Sequence, residues 1–156
     1  MSTVELKGGR VNVTPDGLFI VFEGGEGAGK STQVRLLSDS LVAEGREVVV
    51  TREPGGTPAA EAIRALVLDP ANFGLDPRAE ALLFAAARAE HAAALIRPAL
   101  ERGAIVVCDR YIDSSVAYQG LGRDLGVEKI RDLSAWATQD LLPDLTIVLD
   151  IDPVVG

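Results

Sequence analysis

The chain is poor in several things that would each have opened a class of function. It has one cysteine in 156 residues, Cys108, so an internal disulfide framework is excluded and a reducing cytoplasm fits. Cys108 ends an apolar run and is expected as a small buried residue. Basic residues are in deficit, 15 against 23 acidic, for a formal net charge of −8. That balance argues against broad electrostatic binding to nucleic acid or to an anionic membrane, which needs a basic face, although local basic pockets remain open. No apolar stretch reaches the roughly 20 residues needed to cross a bilayer, and residues 1–16 lack the apolar middle of a signal peptide. They are expected as a flexible polar extension. Histidine and tryptophan occur once each: His91 is expected at a solvated or interface position without a catalytic role, and Trp136 as packing. Repeats, heptads and Ser/Gly linkers are absent too, so residues 17–156 are read as one domain.

What is present is a regular alternation. Apolar runs rich in β-branched residues occur at 18–23 (LFIVFE), 47–51 (EVVVT), 104–109 (AIVVCD) and 145–151 (LTIVLDI). They are apolar throughout, as strands covered on both faces are. Between them lie helical candidates at 30–44, 58–68, 77–102 and 127–140, with Pro98 expected to kink the third or to begin its final turn. The pattern predicts an α/β fold, a parallel sheet flanked by helices on both faces with right-handed crossovers.

Between the first strand and the first helix stands GGEGAGKST, residues 24–32. Gly24, Gly29, Lys30 and Ser31 satisfy G-x-x-x-x-G-K-[ST], here in the strand-to-helix context that gives the motif its meaning. Glycines allow positive φ and turn successive N–H groups of Gly24, Gly25, Glu26, Gly27, Ala28 and Gly29 inward, and the helix start adds its positive dipole end. The cradle suits the phosphates of ATP, with Lys30 on the β and γ oxygens and the hydroxyls of Ser31 and Thr32 at the helix start, Ser31 toward Mg²⁺.

The loop alone leaves the acceptor open: water, protein or a small molecule. Transfer to a phosphate monoester requires further cations, because the acceptor adds about −1.5 to −2 charges beside a triphosphate. TREPGGT, 51–57, and DRYIDSSVAYQG, 109–120, follow the second and third strands, at the sheet edge where α/β folds bind ligands. Arg52 and Arg110 suit phosphate, and Asp109 suits Mg²⁺, directly or through water. Phe84 and Arg88 are spaced i, i+4 and offer a ring and a guanidinium to a nucleobase; Ser115 and Gln119 share that spacing, with Tyr118 beside them for a sugar.

Taken together, FIVFEGGEGAGKST, TREPGGT, EAIRALVL, EALLFAAARAEH, DRYIDSSVAYQG and LLPDLTIVLDID resemble bacterial thymidylate kinases, which move the γ-phosphoryl of ATP to dTMP. The resemblance runs from about residue 18 to 152 and implies a P-loop NTPase fold and a homodimer. It implies that Phe84 stacks on thymine, that Arg88 and Gln119 bond the base, and that Ser115 lines the same pocket. It further implies Arg64 as an acceptor contact, Glu53 and Tyr118 near the deoxyribose, Arg52 and Arg110 near the acceptor phosphate, Asp109 as Mg²⁺ organiser and Glu26 as the acidic residue of the phosphate loop. Members of that family continue past the fourth strand with an arginine-bearing lid, a fifth strand and terminal helices; this sequence is read as truncated there. Since such an arginine can be worth ~10³ to 10⁵ in rate, a catalytically impaired nucleotide-binding fragment is one alternative, and a kinase for another deoxynucleotide is a second. A switch GTPase is disfavoured, because no Asn-Lys-x-Asp segment occurs.

Overall fold

The structure is a computed structural model that describes residues 3–6, 9–12 and 17–151. Within 1–16, expected as a loose extension, β1 (Thr3–Leu6) pairs antiparallel with β2 (Gly9–Asn12). The other residues of that segment lie outside the described ones.

Four strands make the main sheet: β3 (Leu18–Gly24), β4 (Val48–Arg52), β5 (Ile105–Asp109) and β6 (Leu145–Leu149). Their order is β4-β5-β3-β6 and every pairing is parallel. The strands are apolar throughout because alternate residues feed opposite layers. Phe19 and Val21 join Val106, Cys108, Ile96 and Tyr111 on one face, whereas Ile20 and Phe22 join Val34, Ile105 and Val107 on the other. The second face is covered by α1 (Lys30–Ala43), which carries Val34.

The long alanine-rich segment runs as α3 (Pro77–His91), a π-helical turn over Ala92–Ile96, and α4 (Arg97–Glu101), with Pro98 at the second residue of α4. Pro98 cannot donate to the preceding turn, and the ladder widens just ahead of it. Two expected helices are found as α2 (Pro58–Leu68) and α6 (Val127–Thr138). Helix α5 (Ile112–Ser115), continued by a π-helical stretch to Leu121, was not among them. Its residues carry too many polar groups and too short an apolar stripe for periodicity to mark them.

Two expectations about single residues are overturned. His91 is not solvated but wholly buried, 0% exposed, because both ring nitrogens find partners inside. Trp136 is not packing: it stands on α6 at 81% exposure, on the side of that helix opposite buried Ile130, Ser134 and Thr138.

Candidate active site

The carboxyl ends of β3, β4 and β5 converge on one rim. After β3 the chain turns through Gly24, Gly27 and Gly29, all at positive φ. At Gly24 a Cβ would stand 2.5 Å from the carbonyl oxygen of Leu149, so the loop can leave the sheet beside β6 only without a side chain. Lys30 opens α1 and is buried, its Nζ donating to the carbonyls of Gly24 and Gly25, both at 2.9 Å. The ammonium is thus held inside the cradle by two neutral acceptors, which phosphate oxygens can replace.

A cavity of about 490 Å³ follows this loop from Glu26 to Thr32 and is closed by Arg52, Glu53, Arg64, Asp109 and Arg110. Asp109 ends β5, and its Oδ1 is buried without a hydrogen-bond partner. Asp109 and Ser31 line the same cavity, and a carboxylate with one oxygen left without a partner, beside a hydroxyl, fits a hard cation that keeps most of its waters. Among the described residues no group of three or more His, Cys, Asp or Glu side chains could hold a metal alone.

Beside it lies a second cavity of about 330 Å³, lined by Phe84, Arg88, Tyr111, Ser115, Tyr118 and Gln119 among others. Glu26, Glu53, Arg64 and Arg110 line both cavities. Arg110 has φ 70, a left-handed conformation costly for a side chain, and its N–H is fixed to the Phe22 carbonyl at 2.9 Å. Its guanidinium donates to Glu26 at 3.1 Å and, at 3.4 Å each, to the hydroxyls of Ser114 and Tyr118. Arg64 donates to the Pro54 carbonyl at 3.0 Å, and its pKa is lowered, by burial first and by the nearby Arg52 second. Arg52 makes an exposed ion pair with Glu61 at 3.2 Å, a bond of little net worth that a ligand can break.

Arg88 is 3% exposed and almost fully engaged. It donates to Glu53 at 2.6 Å, Ser115 at 2.9 Å, and Ser134 and the Tyr111 carbonyl at 3.2 Å each, which leaves one Nη1–H of the five guanidinium donors. Ser115 therefore holds Arg88, and Glu53 is a buried bracket for that arginine. Gln119 donates to Glu80 at 3.3 Å while its Oε1 is buried and unpartnered, an acceptor in search of a donor. The structure brings these residues together around two joined cavities.

It missed others. Glu23, next to last in β3, accepts from the Tyr111 N–H at 2.8 Å and the Ser114 N–H at 3.3 Å, and so anchors the loop that carries Arg110. Burial pushes its pKa up, against those hydrogen bonds, which pull it down. A lone acid ending the run LFIVFE was the available signal. Tyr111 is buried edge-on against Phe19, supports the Arg88 guanidinium over its ring at 5.6 Å, and donates to the Leu141 carbonyl at 2.8 Å. Cys108 is buried as expected, and burial pushes its thiol pKa up, so it is no nucleophile.

A glycine cradle on a parallel sheet edge, joined to a second chamber at Arg64, Arg110, Glu26 and Glu53, defines a P-loop phosphotransferase that hands a phosphoryl group to a small acceptor. The thymidylate kinase family model matches residues 22–156. A thymidylate kinase of Bifidobacterium longum strain NCC 2705 is 59% identical over 144 residues, 90% of this chain and 70% of that protein. One from Clavibacter sepedonicus is 60% identical over 136 residues, 87% of this chain and 64% of its own length. The crystal structure of thymidylate kinase from Ehrlichia chaffeensis superposes with a TM-score of 0.81 at 42% identity, covering 90% of this chain and 75% of that one. The chain belongs to the thymidylate kinase family, and it spans about two thirds of the length of such relatives.

Proposed function

We propose that this chain transfers the γ-phosphoryl of ATP to dTMP, giving ADP and dTDP for dTTP biosynthesis. The observation that carries the reading is the joining of the two cavities at Glu26, Glu53, Arg64 and Arg110. Two anionic substrates meeting there have their charged ends side by side, with guanidinium groups to offset the repulsion.

In this mechanism the triphosphate lies on the loop amides and Lys30 exchanges its two carbonyl partners for β and γ oxygens. Ser31 and Asp109 would hold Mg²⁺, which when bound neutralises charge on the β and γ oxygens. Thymine lies against Phe84, the remaining Nη1–H of Arg88 donates to a base carbonyl, and Gln119 Oε1 accepts from the base N–H. Tyr118 borders the deoxyribose, while Arg52, Arg64 and Arg110 face the acceptor phosphate and Glu26 steadies Arg110. An oxygen of that phosphate attacks the γ-phosphorus in line; the new P–O bond forms as the bond to the β–γ bridging oxygen breaks, and ADP leaves with the electron pair. The acceptor oxygen is already ionised, so no general base is required.

A thymine methyl in an apolar pocket is worth only ~1 to 3 kcal/mol, so dUMP is the hardest competitor to reject. Neither an impaired nucleotide-binding fragment nor a kinase for another deoxynucleotide is favoured by the relatives. The working form is a homodimer in the cytoplasm, tested by sedimentation; among the described residues no helix is long and apolar enough to cross a membrane. The decisive assay couples ADP release to dTMP, dUMP, thymidine, CMP and AMP in turn, with ATP and Mg²⁺. Preference for dTMP, lost in Lys30→Ala, is the expected result; retained turnover in that variant, or preference for thymidine, overturns the reading.

A further inference from the structure

The phosphate loop and the arginines account for the reaction, but not for a buried imidazole that touches neither cavity. His91 follows Arg88 by three residues on α3, so both side chains leave the same helix face. They grip the same carboxylate: Arg88 Nε donates to Glu53 Oε2 at 2.6 Å, and His91 Nδ1 meets Glu53 Oε1 at 3.1 Å. A carboxylate only accepts, so Nδ1 carries a proton and donates it. Nε2 meets the Thr51 hydroxyl at 2.7 Å. Overhead is the main chain of Gly56, where an added Cβ would lie 2.5 Å from the ring's Cδ2 and Nε2. The imidazole is therefore fixed at both nitrogens and by its roof.

Its partners come from one segment, Thr51 to Gly56, which also supplies Arg52 and Glu53 to the two cavities. Glu53 has two oxygens and two cationic or N–H partners, one on each. With His91 removed, Oε1 is left buried without a donor, and the carboxylate is free to rotate and take both oxygens to Arg88. Arg88 would then swing away from the Ser115 and Ser134 hydroxyls, and the one Nη1–H that it keeps for a ligand would lose its aim.

We propose that His91 is a positioning residue for acceptor-base recognition, acting through Glu53 to fix the direction of Arg88. The proposal rests on the reading that Arg88 contacts the base of dTMP. It gives the Thr51–His91–Glu53–Arg88 chain a role in KM for the acceptor, and gives Thr51 and His91, which line neither cavity, none in the chemical step or in ATP binding.

The test compares His91→Leu, which fills the space without donors, with His91→Asn, whose amide N–H takes the place of Nδ1–H. Steady-state kinetics with dTMP and ATP, and calorimetric titration of dTMP alone, are measured beside Arg88→Ala. His91→Leu is expected to raise KM and Kd for dTMP by about ten-fold or more, with kcat and KM for ATP within about two-fold, and His91→Asn to recover most of the loss. Unchanged dTMP affinity in His91→Leu, with Arg88→Ala strongly impaired, overturns the proposal alone. Unchanged affinity in Arg88→Ala overturns the reading beneath it. Equal losses in both His91 variants, or losses shared by ATP, mean that the ring only supports the fold and also overturn the proposal. If His91→Leu does not fold, Thr51→Val releases the far nitrogen and is expected to raise dTMP KM about two- to five-fold; no change there overturns the proposal too.

Discussion

Glu23 sits where a residue-level argument can be made with a sign. Its carboxyl lies inside the fold, accepts two backbone N–H groups, and has its pKa raised above the ordinary 4.5, chiefly by burial. Between that ordinary value and the raised one the folded chain binds more protons than the unfolded chain, so stability falls as pH rises through the window. Urea unfolding followed from about pH 4 to about pH 7 should show this slope, and Glu23→Gln should flatten it while lowering stability by ~1 to 3 kcal/mol through lost hydrogen bonds. Phe84 is the other residue with a clear expectation. It borders the acceptor cavity and not the phosphate one, and base stacking on a ring is worth ~1 to 3 kcal/mol. Phe84→Ala should raise KM for dTMP about ten-fold and leave KM for ATP nearly unchanged in steady-state kinetics; equal effects on both would make the ring mere packing.

At the scale of elements, the segment between β4 and α2 does more than its sequence disclosed. TREPGGT announced a ligand loop, in which Arg52 was legible as a cation at a strand end and Glu53 only through the family resemblance. That Glu53 would be buried beneath Arg88 and His91 was not legible, since the pairing joins residues 35 and 38 positions apart. Nothing local in an alanine-rich helix distinguishes a histidine facing water from one facing a carboxylate. The strands and four long helices could be read from apolar runs and spacing, whereas α5 and its π-helical extension, short and polar, could not. Gly56 ties this segment to α3: at φ +94, with His91 atoms 2.5 Å from where a Cβ would lie, it has room for no side chain. Gly56→Ala should therefore cost ~1 to 3 kcal/mol of stability, measured by thermal or urea unfolding, and should also weaken dTMP binding.

For the molecule as a whole, the net charge is silent about the site. A net charge of −8 argues against a broad basic face, yet Lys30, Arg52, Arg64 and Arg110 gather around one cavity, in excess over its carboxylates Glu26, Glu53 and Asp109. Such a focused field within an acidic protein attracts substrate anions at close range and is screened by salt. Raising salt from about 0.05 M to about 0.5 M should weaken dTMP binding several-fold in calorimetry; an affinity indifferent to salt would leave these cations without an electrostatic role. The motif made the cradle legible because its chemistry is contiguous in the chain. The acceptor chamber draws on five separate segments: strand ends and helix spacing pointed to Arg110, Phe84, Arg88, Ser115, Tyr118 and Gln119, whereas Glu26, Glu53 and Arg64 entered only through the family resemblance.

One contact binds these scales together. Gly24 lies opposite Leu149 in the parallel ladder, with no side chain between the start of the phosphate cradle and the backbone of β6. Strand β6, at one edge of the described sheet, thereby backs the start of the cradle: a slip in its register would be transmitted to the loop amides proposed to meet the triphosphate, and an occupied loop would in turn hold that strand in place. Deuterium uptake along Leu145–Leu149 should therefore report on nucleotide occupancy at a distance from every side chain that performs chemistry.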